Sequence, residues 1–196
     1  MQHYKIGIRV YAEDRAFERP DKSIDFLIDG DLIKKEDVLF CIERPISREY
    51  LQGFKDKGYD YVEVWKPKIW SRHWWFFRHG FRGWKWSYTW KMWADFFDEY
   101  SLDHYVVYND FNELHRARNL VMNTYCVTTW FYQHSTDYWY VHGVNKNDLY
   151  TNLHYDKFVC WGGVDQYLKM FDGNHIGEYV KLGCLWSENV KEREET

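Results

Sequence analysis

From residue 38 onwards, short apolar runs alternate with stretches whose apolar residues recur every three or four positions, and this alternation leaves few folds open. Val38 to Ile42 is a continuous apolar run, the pattern of a strand covered on both faces of its sheet. Ser47 is placed to cap a helix running to about Lys57, with Leu51 and Phe54 inward and Gly58 as the C-terminal stop. Tyr61 to Trp65, His104 to Tyr108, Val127 to Tyr132, Lys157 to Trp161 and Glu178 to Leu182 read as further strands. Three helical patterns fall between them. Ser87 to Tyr100 carries Trp90, Trp93, Phe97 and Tyr100, with Trp86 just ahead, at helical spacing. Asp110 and Glu113 form a capping signature before Leu114, Ala117, Val121 and Tyr125. Val164 to Phe171 ends at Gly173. Strand, helix and strand repeated in this way predict an α/β, Rossmann-like fold: a mostly parallel sheet with helices on both faces, Val38 to Ile42, His104 to Tyr108 and Val127 to Tyr132 being central.

Residues 1–37 follow a different pattern. Lys5 to Val10 and Ile24 to Ile28 look like strands joined by a charged loop, the second running into an Asp29-Gly30 turn, which predicts a β-hairpin-like addition to the sheet edge. The expected organisation is an N-terminal β extension over 1–37, a Rossmann-like domain over 38–186 and a charged tail or linker over 187–196. A length of 196 residues suits one well-filled domain.

Between Glu63 and Asp95 there is no acidic residue, while eight tryptophans alternate with lysines and arginines. The rest of the chain is mildly acidic, for a formal net charge of -4, so this segment is a local exception that argues against nucleic acid as a general partner. Cationic and aromatic side chains together suit an anionic membrane surface, rings at headgroup level and cations towards phosphate. The helical half has a core explanation for its rings. Trp70, Arg72, Trp74, Trp75, Arg78 and Arg82, in the part without a single period, are the expected membrane contacts.

No run approaches the roughly 20 apolar residues that span a bilayer, and Glu13, Asp14 and Arg15 leave no signal-peptide core near the N-terminus. These features predict a cytoplasmic protein, peripheral on the inner face of the cell membrane. The four cysteines, Cys41, Cys126, Cys160 and Cys184, form no CxxC pair, three of them lying in what read as buried strands. The nine histidines show no HxH or HxxxH spacing, so neither a disulfide framework nor a metal site is expected. No Walker loop, GxSxG or HExxH motif is present, and no cofactor is implied.

In an open α/β sheet, ligands gather at the carboxyl ends of the strands. Asn109 and Asp110 follow the strand that ends at Tyr108, although a helix cap accounts for Asp110. Gln133, His134 and Ser135 follow the strand ending at Tyr132, with His142, Gly143 and Lys146 shortly beyond. Gly162 and Gly163 follow Trp161 and permit close backbone approach to a ligand, in a run too short for a dinucleotide fingerprint. A neutral imidazole near pH 7 suits His142 to accept a proton from a hydroxyl, while a loop histidine is more often a surface side chain than a base.

The runs Trp139-Tyr140-Val141-His142-Gly143, Tyr155-Asp156-Lys157-Phe158-Val159, Tyr167 to Phe171 and Tyr179-Val180-Lys181-Leu182-Gly183 resemble the N-terminal half of GT-B glycosyltransferases that build surface polysaccharides. They are similar in particular to the CDP-glycerol glycerophosphotransferase group. The resemblance covers about residues 38–186 and implies an acceptor-side domain in which His142 is the base. It also implies a nucleotide-activated sugar or CDP-glycerol donor held by a further, C-terminal domain, and a saccharide or lipid-linked acceptor, with the isolated domain inactive. The substrate-binding set would be Asn109, Asp110, His134, Ser135, Gly143, Lys146 and Gly162. A reading of a different class stands beside it, in which the chain is a non-catalytic α/β module that binds carbohydrate or an anionic partner through its aromatic segment.

Overall fold

The computed structural model describes residues 1–10, 33–65, 70–108, 114–132, 153–160 and 175–182, with the backbone alone at 70–82 and 84. Seven strands form one sheet: β1 (Gln2–Val10), β2 (Val38–Ile42), β3 (Asp60–Glu63), β4 (Tyr100–Tyr108), β5 (Thr128–Tyr132), β6 (His154–Cys160) and β7 (His175–Lys181). Their spatial order is β3-β2-β1-β4-β5-β6-β7, and every pairing is parallel. Three α-helices accompany them among the described residues: α1 (Arg48–Asp56), α2 (Trp70–Phe97) and α3 (His115–Thr124). A parallel sheet must cover both faces because each crossover deposits a helix on one of them. Accordingly, Phe54 of α1 packs with Ile8, Val38, Phe40 and Ile42 on one side. On the other side, Met92, Trp93, Phe96 and Phe97 of α2 and Val121 and Met122 of α3 pack with Leu39, Cys41, Tyr105 and Phe131. The expected α/β, Rossmann-like sheet is therefore what the chain forms.

The N-terminal strand occupies a different place from the one expected. β1 is not an edge addition: it lies between β2 and β4, with Ile6 paired to both Val38 and His104. Its two charged side chains are accommodated differently. Lys5 does reach an exposed ion pair with Asp37, but Arg9 is buried because Glu43 neutralises it. With β1 inserted, β2 moves out to the second position, while β4 and β5 remain interior. Gly7 marks how tightly β1 is held. A Cβ there would sit 2.6 Å from Leu102 Cδ1 and 2.9 Å from Tyr105 Cδ2, so the glycine lets these β4 side chains lie over the β1 backbone.

The second difference is the length of α2. Its 28 residues begin at Trp70, and its C-terminus is Phe97, Tyr100 being the first residue of β4. At 1.5 Å per residue such a helix is about 40 Å long. The lack of one apolar period over Trp70 to Phe81 does not break the helix, because that stretch contains no proline and Gly80 is its one strongly unfavourable residue. The rings also divide differently from the pattern: Trp93 and Phe97 are buried, whereas Trp86 and Trp90 are 39% and 42% exposed.

Helix ends follow local chemistry. The Ser47 side chain accepts the N–H of Tyr50 at 3.2 Å, as its position before the helix requires. Gly58, at φ 67°, ends α1 in a Schellman arrangement, with Gly58 N–H donating to Lys55 O and Tyr59 N–H to Phe54 O. The end of α3 repeats the same bonds, from Cys126 to Asn123 and from Val127 to Met122, but the left-handed residue is Cys126, at φ 60°.

Candidate functional site

In this strand order the chain reverses its direction of travel across the sheet between β1 and β4, the switch point beside which ligands lodge in open α/β sheets. A cleft of about 230 Å³ opens close by, on the face covered by α2 and α3. Arg9 comes from the last turn of the pleat in β1, and Glu43 and Arg44 follow directly on β2. Lys85, Tyr88, Met92 and Trp93 come from α2, and Leu114, His115 and Arg118 from the start of α3.

The floor is an ion network. Glu43 Oε2 lies 2.9 Å from Arg9 Nε, and Glu43 Oε1 lies 2.9 Å from Arg118 Nη1. Tyr105 donates its hydroxyl to Glu43 Oε1 at 2.7 Å. Arg118 also donates to Asn119 Oδ1 and to the Tyr155 hydroxyl, and its guanidinium lies over the Tyr105 ring at 5.1 Å. Both arginines are buried, Arg9 at 6% and Arg118 at 2% exposure, and Glu43 lies between them. Burying a charge is costly unless it is paired, which explains why Glu43 is gripped from three sides. Burial, followed by Glu43, pushes the Tyr105 phenol well above its ordinary pKa, keeping it a donor. The same causes in the same order raise the Cys41 thiol, which stays protonated and is no nucleophile.

At one side of the network, His115 Nε2 accepts the backbone N–H of His154 at 3.2 Å and its ring stacks on Tyr155. That bond fixes the proton of the neutral ring on Nδ1. At the mouth, Arg44 and Lys85 are exposed. The wall formed by Tyr88, Met92 and Trp93 is largely apolar, with the Tyr88 hydroxyl donating to Trp65 O and the Thr89 hydroxyl to Lys85 O. The Trp93 indole N–H is buried with no hydrogen-bond partner among the described residues.

Trp93 and Leu114 were visible in the sequence only as periodic core residues, and no other residue of the cleft was picked out as part of a site. The cleft residues come from four distant segments, and each is locally ordinary; the carboxyl-edge rule would have reached them only if applied also to β1 and β2, beyond the three later strands to which the sequence reading confined it. Asn109, Asp110, His134, Ser135, His142, Gly143, Lys146 and Gly162 lie outside the described residues. Trp70, Arg72, Trp74, Trp75, Arg78 and Arg82 lie on α2 at positions where the backbone alone is described. The described part of that helix presents Trp86 and Trp90 next to Ala117 and Leu120 of α3, around a shallow apolar groove of about 210 Å³. Among the described residues no group of three or more His, Cys, Asp and Glu is placed to hold a metal ion, and no helix is long and apolar enough to cross a membrane. No family model, curated protein or solved structure matches the chain.

Proposed function

We propose that this chain is the acceptor-side domain of a GT-B-type glycosyltransferase or glycerophosphotransferase of surface polysaccharide biosynthesis, seated on the inner face of the cell membrane. The supporting observation is the coincidence of a Rossmann strand order with a cationic, aromatic-walled cleft at the carboxyl edge of the sheet. A domain so built holds its ligand beside the loops that follow β4 and β5, and those loops carry Asn109, Asp110, His134, Ser135, His142, Gly143 and Lys146. In the reaction, an acceptor hydroxyl attacks the anomeric carbon of a nucleotide-activated sugar, or the β-phosphorus of CDP-glycerol. His142 takes the hydroxyl proton as the new bond to oxygen forms, and the nucleotide leaves with the electrons of the broken bond. Lys146 steadies an acceptor phosphate, Gly162 gives room for the ligand, and a second Rossmann-like domain holds the donor.

Membrane seating draws on the exposed Trp86, Trp90 and Leu120, which sit on the same helical pair as Lys85. Arg72, Arg78 and Arg82 belong to the same helix, which has no acidic residue ahead of Asp95, and Lys91 pairs with Asp95. That exposed aromatic face also favours the second reading, a non-catalytic module that grips carbohydrate or an anionic partner.

The two readings part in a transfer assay on the full-length protein with CDP-glycerol or a nucleotide sugar and a lipid-linked acceptor. The transferase reading expects turnover that His142→Ala lowers by about a hundredfold or more. Turnover unchanged by that substitution removes His142 from the chemistry, and absence of transfer with every donor leaves the binding module.

A further inference from the structure

We propose that His154 and His175, which open β6 and β7 side by side, form an acid-sensitive latch on β7: the strand is held while both rings are neutral and loosens at its amino end when they take up protons. The latch does not rest on any transfer step. The two residues are direct partners in the parallel register of β6 and β7, and their ring centroids lie 5.7 Å apart with the planes tilted by 56°. Two neutral imidazoles tolerate such closeness. Two imidazolium ions at the same separation repel, and like charges at opposed positions of neighbouring strands are destabilising. Histidine is the side chain whose charge changes between about pH 5 and 8, so the repulsion is switched on by mild acid.

The groups around the half-buried His154 set the direction of the effect. α3 contributes Arg116 and His115, whose Nε2 accepts the His154 backbone N–H at 3.2 Å; β6 contributes Asp156, and β7 contributes His175. Burial first, then Arg116 and His175, hold the His154 ring below its ordinary pKa of 6.5, with Asp156 acting the other way. Asp156 Oδ2 is itself engaged by the N–H and the hydroxyl of Thr129, at 2.7 and 2.8 Å. The folded state therefore favours the neutral ring, and below pH 6.5 it binds fewer protons than the unfolded chain. The stability contributed by the neutral ring is present above that pH and is lost as pH falls beneath it.

β7 is the strand on which this loss tells. It ends the described strand order, and none of its residues is fully buried. Its first residue is tied down by the His175 N–H, which donates to Leu153 O at 2.8 Å, and an ion pair between Lys157 and Glu178 follows farther along. A strand with so little buried surface opens locally before the domain unfolds.

The test is amide hydrogen exchange of the chain read residue by residue, as protection factors corrected for the intrinsic pH dependence of exchange, at about pH 7.5 and about pH 5.5. Carboxylates as a class titrate near pH 4, below this window. Between the two pH values the amides of His175 and Ile176 should lose about tenfold in protection, the effect of one pH unit across a single titration, while Val107 and Phe131 inside the sheet keep theirs. His175→Gln, at an exposed position, removes one charge and should both suppress that fall and move the titration of the His154 ring signals to higher pH. Two results overturn the latch: protection at the start of β7 that falls no more than that of Phe131, or a His154 ring that titrates at the same pH with and without His175. A fall that persists unchanged when His154→Gln and His175→Gln are combined overturns it as well.

Discussion

At the scale of single residues, Glu43 holds the floor of the cleft together, bound by Arg9, Arg118 and Tyr105. It pairs with both Arg9 and Arg118, and both arginines are nearly out of solvent. Glu43→Gln preserves the shape and one acceptor oxygen but removes the charge that pairs with both guanidinium groups. Breaking a buried ion pair from one side costs about 3 to 5 kcal/mol, so urea unfolding of Glu43→Gln should show a loss of about 3 kcal/mol relative to the parent. A loss under about 1 kcal/mol, the worth of a surface pair, would mean that solvent reaches the network and that its burial does not govern its energy. Nothing in the sequence announced this residue. Glu43 sits at the end of an apolar run, where a polar residue is the ordinary sign that a strand has finished, and its partners are 34 and 75 positions away. The same holds for Trp93: its periodicity with Phe97 placed it correctly in the core, but periodicity says nothing about whether its N–H finds an acceptor.

At the scale of elements, legibility followed whether the signal was local. Ser47 and Gly58 bracket α1 where their side chains dictate, because capping and the left-handed turn are decided by residues in immediate contact. Cys126 performs the same task as Gly58 without glycine's conformational freedom, so the end of α3 carried no signal. A left-handed residue with a Cβ is strained by about 1 to 2 kcal/mol, and Cys126 is exposed, with little packing to lose. Cys126→Gly should therefore stabilise the protein by about 1 kcal/mol, seen as a higher urea midpoint with unchanged slope; a lower midpoint would show that the thiol makes a contact worth more than the strain.

Helix α2 illustrates the opposite case. Its second half was visible from the spacing of Trp93 and Phe97, whereas Trp86 and Trp90 share that spacing and still face outward. A helix this rich in rings has more apolar surface than one sheet face can cover, and sequence pattern does not say which stripe wins. The exposed stripe carries a membrane prediction. Vesicle flotation should require anionic lipid, weaken as salt rises, and fall when Trp86, Trp90 and Leu120 are replaced by Ser, each lysine or arginine near the leaflet adding about 1 kcal/mol. Equal flotation with neutral and anionic vesicles would assign the stripe to something other than a charged bilayer.

At the scale of the whole molecule, the alternation of strand and helix made the parallel sheet legible, since a parallel pair cannot form without a crossover and the crossovers are written as helical periods. The strand order was not legible. Placing Gln2–Val10 at an edge or in the middle depends on what covers its charged face, and the residue that does so, Glu43, is contributed by the next strand's end. With β1 in the middle, the switch point falls between β1 and β4, beside a cleft that begins at Arg9, whereas the sequence pointed to residues after β4, β5 and β6, which lie outside the described residues. That cleft is the central claim, and Trp93 offers a direct probe of it. In a proton–nitrogen correlation spectrum, the Trp93 indole signal, assigned by its disappearance in Trp93→Phe, should move progressively and by more than other tryptophan indoles as a soluble analogue of the acceptor is added, because a ligand in the cleft lies against the wall that Trp93 forms. A titration that shifts other signals and leaves the Trp93 indole where it began would place the ligand elsewhere and contradict the account.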